Sequence, residues 1–91
     1  MEKVKINNNS YVIVKDYKNG FDYDEVVSKM TDYFDGFDYV CGDWAYGKLR
    51  LKGFYNHDNN KRKDFNDIDG LDRYLENNCA KDARYFLIKK D

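Results

Sequence analysis

The chain is predicted to be α+β: a mainly antiparallel sheet with two helices, in the order strand, helix, strand, strand, helix, strand, with room for an extra strand at the amino terminus. Three observations predict this. Apolar residues alternate with polar ones in several short β-branched or aromatic runs. Tyr23, Val26, Val27, Met30, Phe34 and Phe37 recur instead at three- and four-residue steps, the spacing of a helix stripe. Finally, Tyr39 to Trp44 and Lys48 to Tyr55 flank the short segment Ala45-Tyr46-Gly47, which suits a hairpin turn.

The first strand is expected from Tyr11 to Tyr17, where Val12, Ile13 and Val14 are β-branched. Val4 and Ile6 alternate with lysines ahead of Asn7-Asn8-Asn9, so a short extra strand can form a hairpin with it. Asp22, followed by Glu25 three residues later, makes an Asp-led capping box for the first helix, and Gly36 suits a left-handed exit. After the central hairpin, residues 56 to 64 (NHDNNKRKD) contain no apolar side chain and read as an exposed loop. Ile68, Leu71 and Leu75 then share a helix face, with Asp67 as its cap and Asn77 or Asn78 at its end. Arg84 to Lys89 forms the last strand. The split βαβ arrangement is the topology that this order suggests.

At 91 residues the chain fits one domain spanning residues 1–91. Nine tyrosines, six phenylalanines and Trp44 supply the filling for so small a core. Charged residues make up 36% of the chain, yet the net charge is −1 and the signs are interspersed, so no whole-molecule field steers a partner. No apolar run is long enough for a membrane helix and the amino terminus lacks a signal-peptide core, which points to a cytoplasmic protein without a membrane partner. In that compartment Cys41 and Cys79 are expected as thiols.

The hairpin has two possible registers, and they place Trp44 on opposite faces. A three-residue loop would set Trp44 opposite Lys48, on the basic face. An even-numbered loop sets it opposite Leu49 and makes Asp43 and Arg50 a cross-strand ion pair. The even loop is favoured, since Val40, Trp44, Leu49 and Leu51 then form one apolar layer; Tyr46 argues for four residues rather than two, because it resists the positive φ of a type I′ turn. In both registers Lys48, Arg50 and Lys52 point away from Leu49 and Leu51. A face carrying Arg50, Lys52 and Phe54 could stack bases and meet phosphates. The plainer reading is a solvent-facing strand whose lysines discourage aggregation.

The segment from Asp38 to Tyr55 resembles the signature of the YutD-like family of small bacterial proteins, through Gly42-Asp43-Trp44, Tyr46-Gly47 and Leu49-Arg50-Leu51-Lys52-Gly53-Phe54. The similarity extends more loosely to the aromatic first strand, the helix before Asp38, Tyr74-Leu75, Cys79 and Tyr85-Phe86. Ala45 stands where the family pattern has Gly, which makes the turn less permissive. The resemblance implies a compact bacterial intracellular α+β domain and supplies no catalytic residue. Lys52-Gly53-Phe54 also matches the opening of an RNA-recognition RNP1 sequence, but the match stops at Tyr55.

Chemistry has few candidates. Nucleophilic catalysis would need Cys41 or Cys79 beside His57, the only histidine; those three lack zinc-ligand spacing, and no phosphate-binding glycine loop occurs. Asp43 is assigned a structural role in orienting Arg50. The expected function is thus a non-enzymatic macromolecule-binding module with no cofactor or metal. Its contact residues are Trp44, Arg50, Lys52 and Phe54, and its partner stays open between RNA or a ribonucleoprotein and a protein. The alternatives are a protein-binding adaptor and, more remotely, a small enzyme using Cys41, His57 or Asp43.

Overall fold

The computed structural model describes residues 2–91. Five strands, β1 (Lys3–Ile6), β2 (Asn9–Tyr17), β3 (Tyr39–Ala45), β4 (Lys48–Phe54) and β5 (Tyr85–Lys90), form one sheet in the order β1-β2-β5-β3-β4. Every neighbouring pair is antiparallel. Two helices, α1 (Tyr23–Lys29) and α2 (Leu71–Asn78), complete an α+β fold whose extra amino-terminal strand is β1.

The helices cover opposite faces, because alternation along each strand sends neighbouring residues to different layers. Val40, Leu49, Phe86 and Ile88 pack with Val26 and Met30 beneath α1. Cys41, Phe54 and Leu87 pack with Leu71, Tyr74 and Leu75 beneath α2. The split βαβ expectation is therefore corrected: there both helices would share one face, whereas here the sheet lies between them, with β3 and β5 at its centre.

Three local features depart from simple periodicity. The stripe from Tyr23 to Phe37 does not form one helix. α1 stops at Lys29, Met30 is extended, and Asp32–Gly36 forms a separate 3₁₀ turn. A continuous helix over those fifteen positions would run roughly 22 Å, carrying Phe37 away from the sheet. The break instead lays the Phe37 ring on Gly53, where any Cβ would collide with it. The Asn7 amide holds the break by donating to the Met30 carbonyl at 2.9 Å. Gly36 is not left-handed as expected, but the Asp22 cap is present, accepting from the Glu25 N–H at 3.3 Å.

In β2 the pairing with β5 shifts between Ile13 and Lys15, leaving Val14 as a bulge. The extra residue inverts the side-chain phase: Tyr11 and Ile13 join the α1 layer, while Tyr17 stacks against Tyr85 on the other, with ring centroids 5.5 Å apart.

The hairpin takes the even register, with Trp44 opposite Leu49 and Asp43 opposite Arg50. Its loop is only Tyr46-Gly47, at φ 55° and 74°, the signs of a type I′ turn. The argument that Tyr46 would exclude a two-residue loop is thus overturned. The right-handed twist of the flanking strands favours this turn enough to impose a left-handed conformation on a tyrosine, whose side chain is fully exposed.

Candidate functional site

β4 places Arg50, Lys52 and Phe54 on the α2 face, and Trp44 lies on the other. Phe54 is 1% exposed and meets Tyr74 edge-on, with centroids 5.6 Å apart. The expectation of an open stacking ring at Phe54 is corrected by this position, since α2 covers it. Trp44 is held within its layer: its Nε1 donates to the Gly20 carbonyl at 2.8 Å, and the Arg84 guanidinium stands 4.3 Å from its ring centroid.

Arg50 and Lys52, two residues apart on one strand face, have different surroundings. Arg50 is committed to the fold. Its Nη2 and Nε donate to the Asp43 carboxylate at 2.6 and 3.2 Å, and Nη2 also caps the Asn78 carbonyl at the end of α2 at 2.9 Å. The Asp43 side chain is 2% exposed, so this pair ties the hairpin to α2 from beneath. The hydrogen bond to Asp43 raises the Arg50 pKa further, leaving it fully charged.

Lys52 has no such partner. Its ammonium stands 5.2, 5.5 and 5.4 Å from the ring centroids of Phe54, Phe65 and Tyr74. Neither Lys52 nor Arg73 forms an ion pair with a carboxylate among the described residues. Both line a cleft of about 390 Å³ between β4 and α2, together with Phe65, Tyr74, Asn77, Asn78 and the carboxylates Asp64 and Asp67. Phe65 is 70% exposed. The 3₁₀ turn Asp64–Asn66 holds it there: the Asn66 side chain accepts the Lys63 N–H at 2.6 Å, and the Tyr55 N–H bonds to the Asn66 carbonyl at 2.7 Å. Such a site can stack a planar group on Phe65 while two cations meet an anion. Phe65, Arg73, Asn77 and Asn78 escape sequence reasoning. Phe65 lies next to a polar loop and belongs to no periodic run, so nothing local marks it as a wall.

Of the groups considered for catalysis, Cys41, Cys79 and Asp43 lie near one another, whereas His57 pairs with Asp67 and Asp69. The Cys41 thiol is pushed up to about 12, first by burial and then by Cys79 and Asp43 nearby, so it holds almost no thiolate at neutral pH. Burial likewise raises Cys79, with Asp43 adding to it. Both cysteines are free thiols. His57 turns to the exposed loop, its Nδ1 2.7 Å from Asp67 and 3.4 Å from Asp69. These three side chains bring donor atoms within 4.8 Å of one another, the reach of a cation site. They already partner each other, however, and the Arg62 Nε lies 3.7 Å from Asp67. The Asp69 backbone N–H, then His57, hold the Asp67 carboxyl below its usual range. That set reads as a hydrogen-bonded polar network bracing the loop.

No helix among the described residues is long and apolar enough to cross a membrane. A family model described as "Putative antitoxin YutD-like" matches residues 5–89. The Bacillus subtilis (strain 168) protein named "Putative antitoxin YutD" is 34% identical over 87 residues, which cover 96% of this chain and 96% of that protein. The solution NMR structure of yutD from B. subtilis matches with a TM-score of 0.82 at 33% identity, covering 100% of this chain and 83% of that one. With the match running from β1 into β5 and the fold shared, this chain belongs to the YutD-like family.

Proposed function

We propose that the chain is a non-enzymatic binding module of the bacterial cytoplasm that holds single-stranded RNA, alone or within a ribonucleoprotein, in the cleft between β4 and α2. The observation that carries this reading is the pair of cations, Lys52 and Arg73, which form no ion pair among the described residues and line one cleft with the exposed Phe65 ring. Base stacking is sequence-tolerant and worth about 1–3 kcal/mol per base, while phosphate contacts supply affinity that salt removes. Asn77 and Asn78 offer amide donors and acceptors toward a base edge. Of the contact residues expected from sequence, Lys52 keeps its role here. Arg50, Trp44 and Phe54 support the fold around it.

The test is fluorescence anisotropy of a labelled ten-nucleotide uridine oligomer against salt concentration. Lys52→Ala and Arg73→Ala should each reduce the salt slope by roughly 0.7, the value for one phosphate of a single strand. An unchanged slope in the double variant, or no binding at low salt, would overturn the reading.

A second reading has its own support. The B. subtilis relative is named a putative antitoxin, and a protein that neutralises a toxin must hold a partner. A protein partner accords with that name, and a free sheet edge next to the cleft could receive one.

A further inference from the structure

We infer that the outer edge of β4 is an interaction surface for an extended, acidic strand of a partner protein, which adds to the sheet as a sixth strand. The sheet order leaves β4 with β3 as its single neighbour. The two-residue turn makes Ala45 and Lys48 the closing hydrogen-bonded pair, and bonded pairs then recur at alternate positions, Asp43 with Arg50 and Cys41 with Lys52. In keeping with this phase, the Trp44 N–H turns the other way, to the Arg84 carbonyl at 3.1 Å. Leu49, Leu51 and Gly53 therefore direct their N–H and C=O groups outward, where no backbone partner meets them among the described residues; the next outward residue, Tyr55, is already bonded to Asn66 and Ile68, so the open edge ends at Gly53.

The surroundings of this edge favour an occupant. Tyr33 and Phe65, 68% and 70% exposed, line a groove of about 150 Å³ with Leu51, Lys52 and Gly53. Tyr33 belongs to the α1 side, where it packs edge-on against Phe34, and Phe65 to the α2 side beside Lys52. A strand laid along β4 thus finds an aromatic ring on each of its own faces, and its backbone satisfies the three outward residues. The other edge differs: β1 has four residues, carries Lys3 and Lys5, and its Lys5 carbonyl already accepts from the Tyr23 hydroxyl at 2.8 Å.

Charge selects the occupant. Lys48, Arg50 and Lys52 all project to the α2 face, and Lys48 and Lys52 form no ion pair among the described residues. Side chains directly opposite on an added strand share that face. Carboxylates at alternate positions would meet the cations, and apolar residues between them would lie toward Leu51 and Tyr33. A second copy of β4 would set cation against cation, which opposes self-pairing through this edge.

The probe is the capped hexapeptide Glu-Val-Glu-Ile-Glu-Val, followed by amide hydrogen exchange and chemical shifts in NMR. The Leu49, Leu51 and Gly53 amides should exchange more slowly when peptide is added than in the protein alone. Replacing the three Glu by Lys should weaken binding at least about tenfold. N-methylation at alternate peptide amides should abolish binding in one phase and be tolerated in the other, a result that diffuse charge attraction would not produce. Tyr33→Ala should weaken the peptide and spare the RNA oligomer, while Arg73→Ala should do the reverse, so failure at the edge is separable from failure at the cleft. No gain of protection at these three amides, equal tolerance of both methylation phases, or equal affinity for the lysine peptide would each overturn the inference.

Discussion

The two faces of the sheet solve the same packing problem differently. Beneath α1 the layer is built of apolar and aromatic side chains, from Ile6 and Tyr11 to Phe86 and Ile88, and contains no ion pair among the described residues. Beneath α2 the layer combines aromatic rings with two thiols, a buried carboxylate and two cations. Strand alternation alone assigns these populations, since Val40 and Cys41, or Leu49 and Arg50, are adjacent in sequence yet lie in opposite layers. The difference teaches that the two faces carry different kinds of packing: one anchors the sheet, and the other tolerates polar groups because they are paired, caged or open to a cleft.

The largest effect should come from the dry face. Phe86 is fully buried at the centre of the α1 layer, and Phe86→Ala should lower the unfolding free energy by about 3–5 kcal/mol in urea melts. A loss below about 1 kcal/mol would mean that this layer is not the anchor.

The ion pair beneath α2 comes next, and it should respond asymmetrically. Arg50→Ala strands the Asp43 carboxylate, whose side chain is 2% exposed, and should cost about 3 kcal/mol. Asp43→Asn leaves behind an arginine that is 45% exposed and can rehydrate, so its cost should be nearer 1–2 kcal/mol. Equal losses would contradict the view that one partner is buried and the other wet.

Tyr11 offers a gain. Its ring is fully buried and its hydroxyl has no hydrogen-bond partner among the described residues. Tyr11→Phe should therefore raise stability by up to about 1 kcal/mol, and a loss of that size would reveal polar character in a face read as dry.

The thiols give a pH signature of smaller extent. Cys41 titrates near 12 in the folded chain, above the ordinary thiol value of 9.0. A raised pKa favours the folded state fully below about pH 9; the contribution is lost as pH climbs from there toward 12, where the unfolded thiol ionises first. Iodoacetamide at pH 8 should accordingly modify the partly exposed Cys79 well before Cys41, as mass spectrometry of the labelled chain would report. Smallest of all, Lys52→Ala should change stability by less than about 0.5 kcal/mol while still flattening the salt dependence of RNA binding.

Much of this organisation is legible in the chain itself. Spacing marks all five strands, the Asp22 cap and the shared face of Ile68, Leu71 and Leu75, because bond geometry sets those periods over a few residues. The Asp43 and Arg50 pairing follows once the parity of the hairpin loop is known. Other features depend on distant contacts. Met30 breaks its helix where Asn7 reaches its carbonyl and Phe37 finds Gly53, and Val14 bulges to suit β5. Phe54 reads as an exposed strand aromatic until α2, some seventeen residues downstream, closes over it. Phe65 becomes a cleft wall for the same reason. Within an uninterrupted strand or helix, the sequence by itself therefore determined which residues share a face. The tertiary structure decided which faces are covered and which edge is left open, because coverage depends on how the connections cross the sheet, and no local period records that.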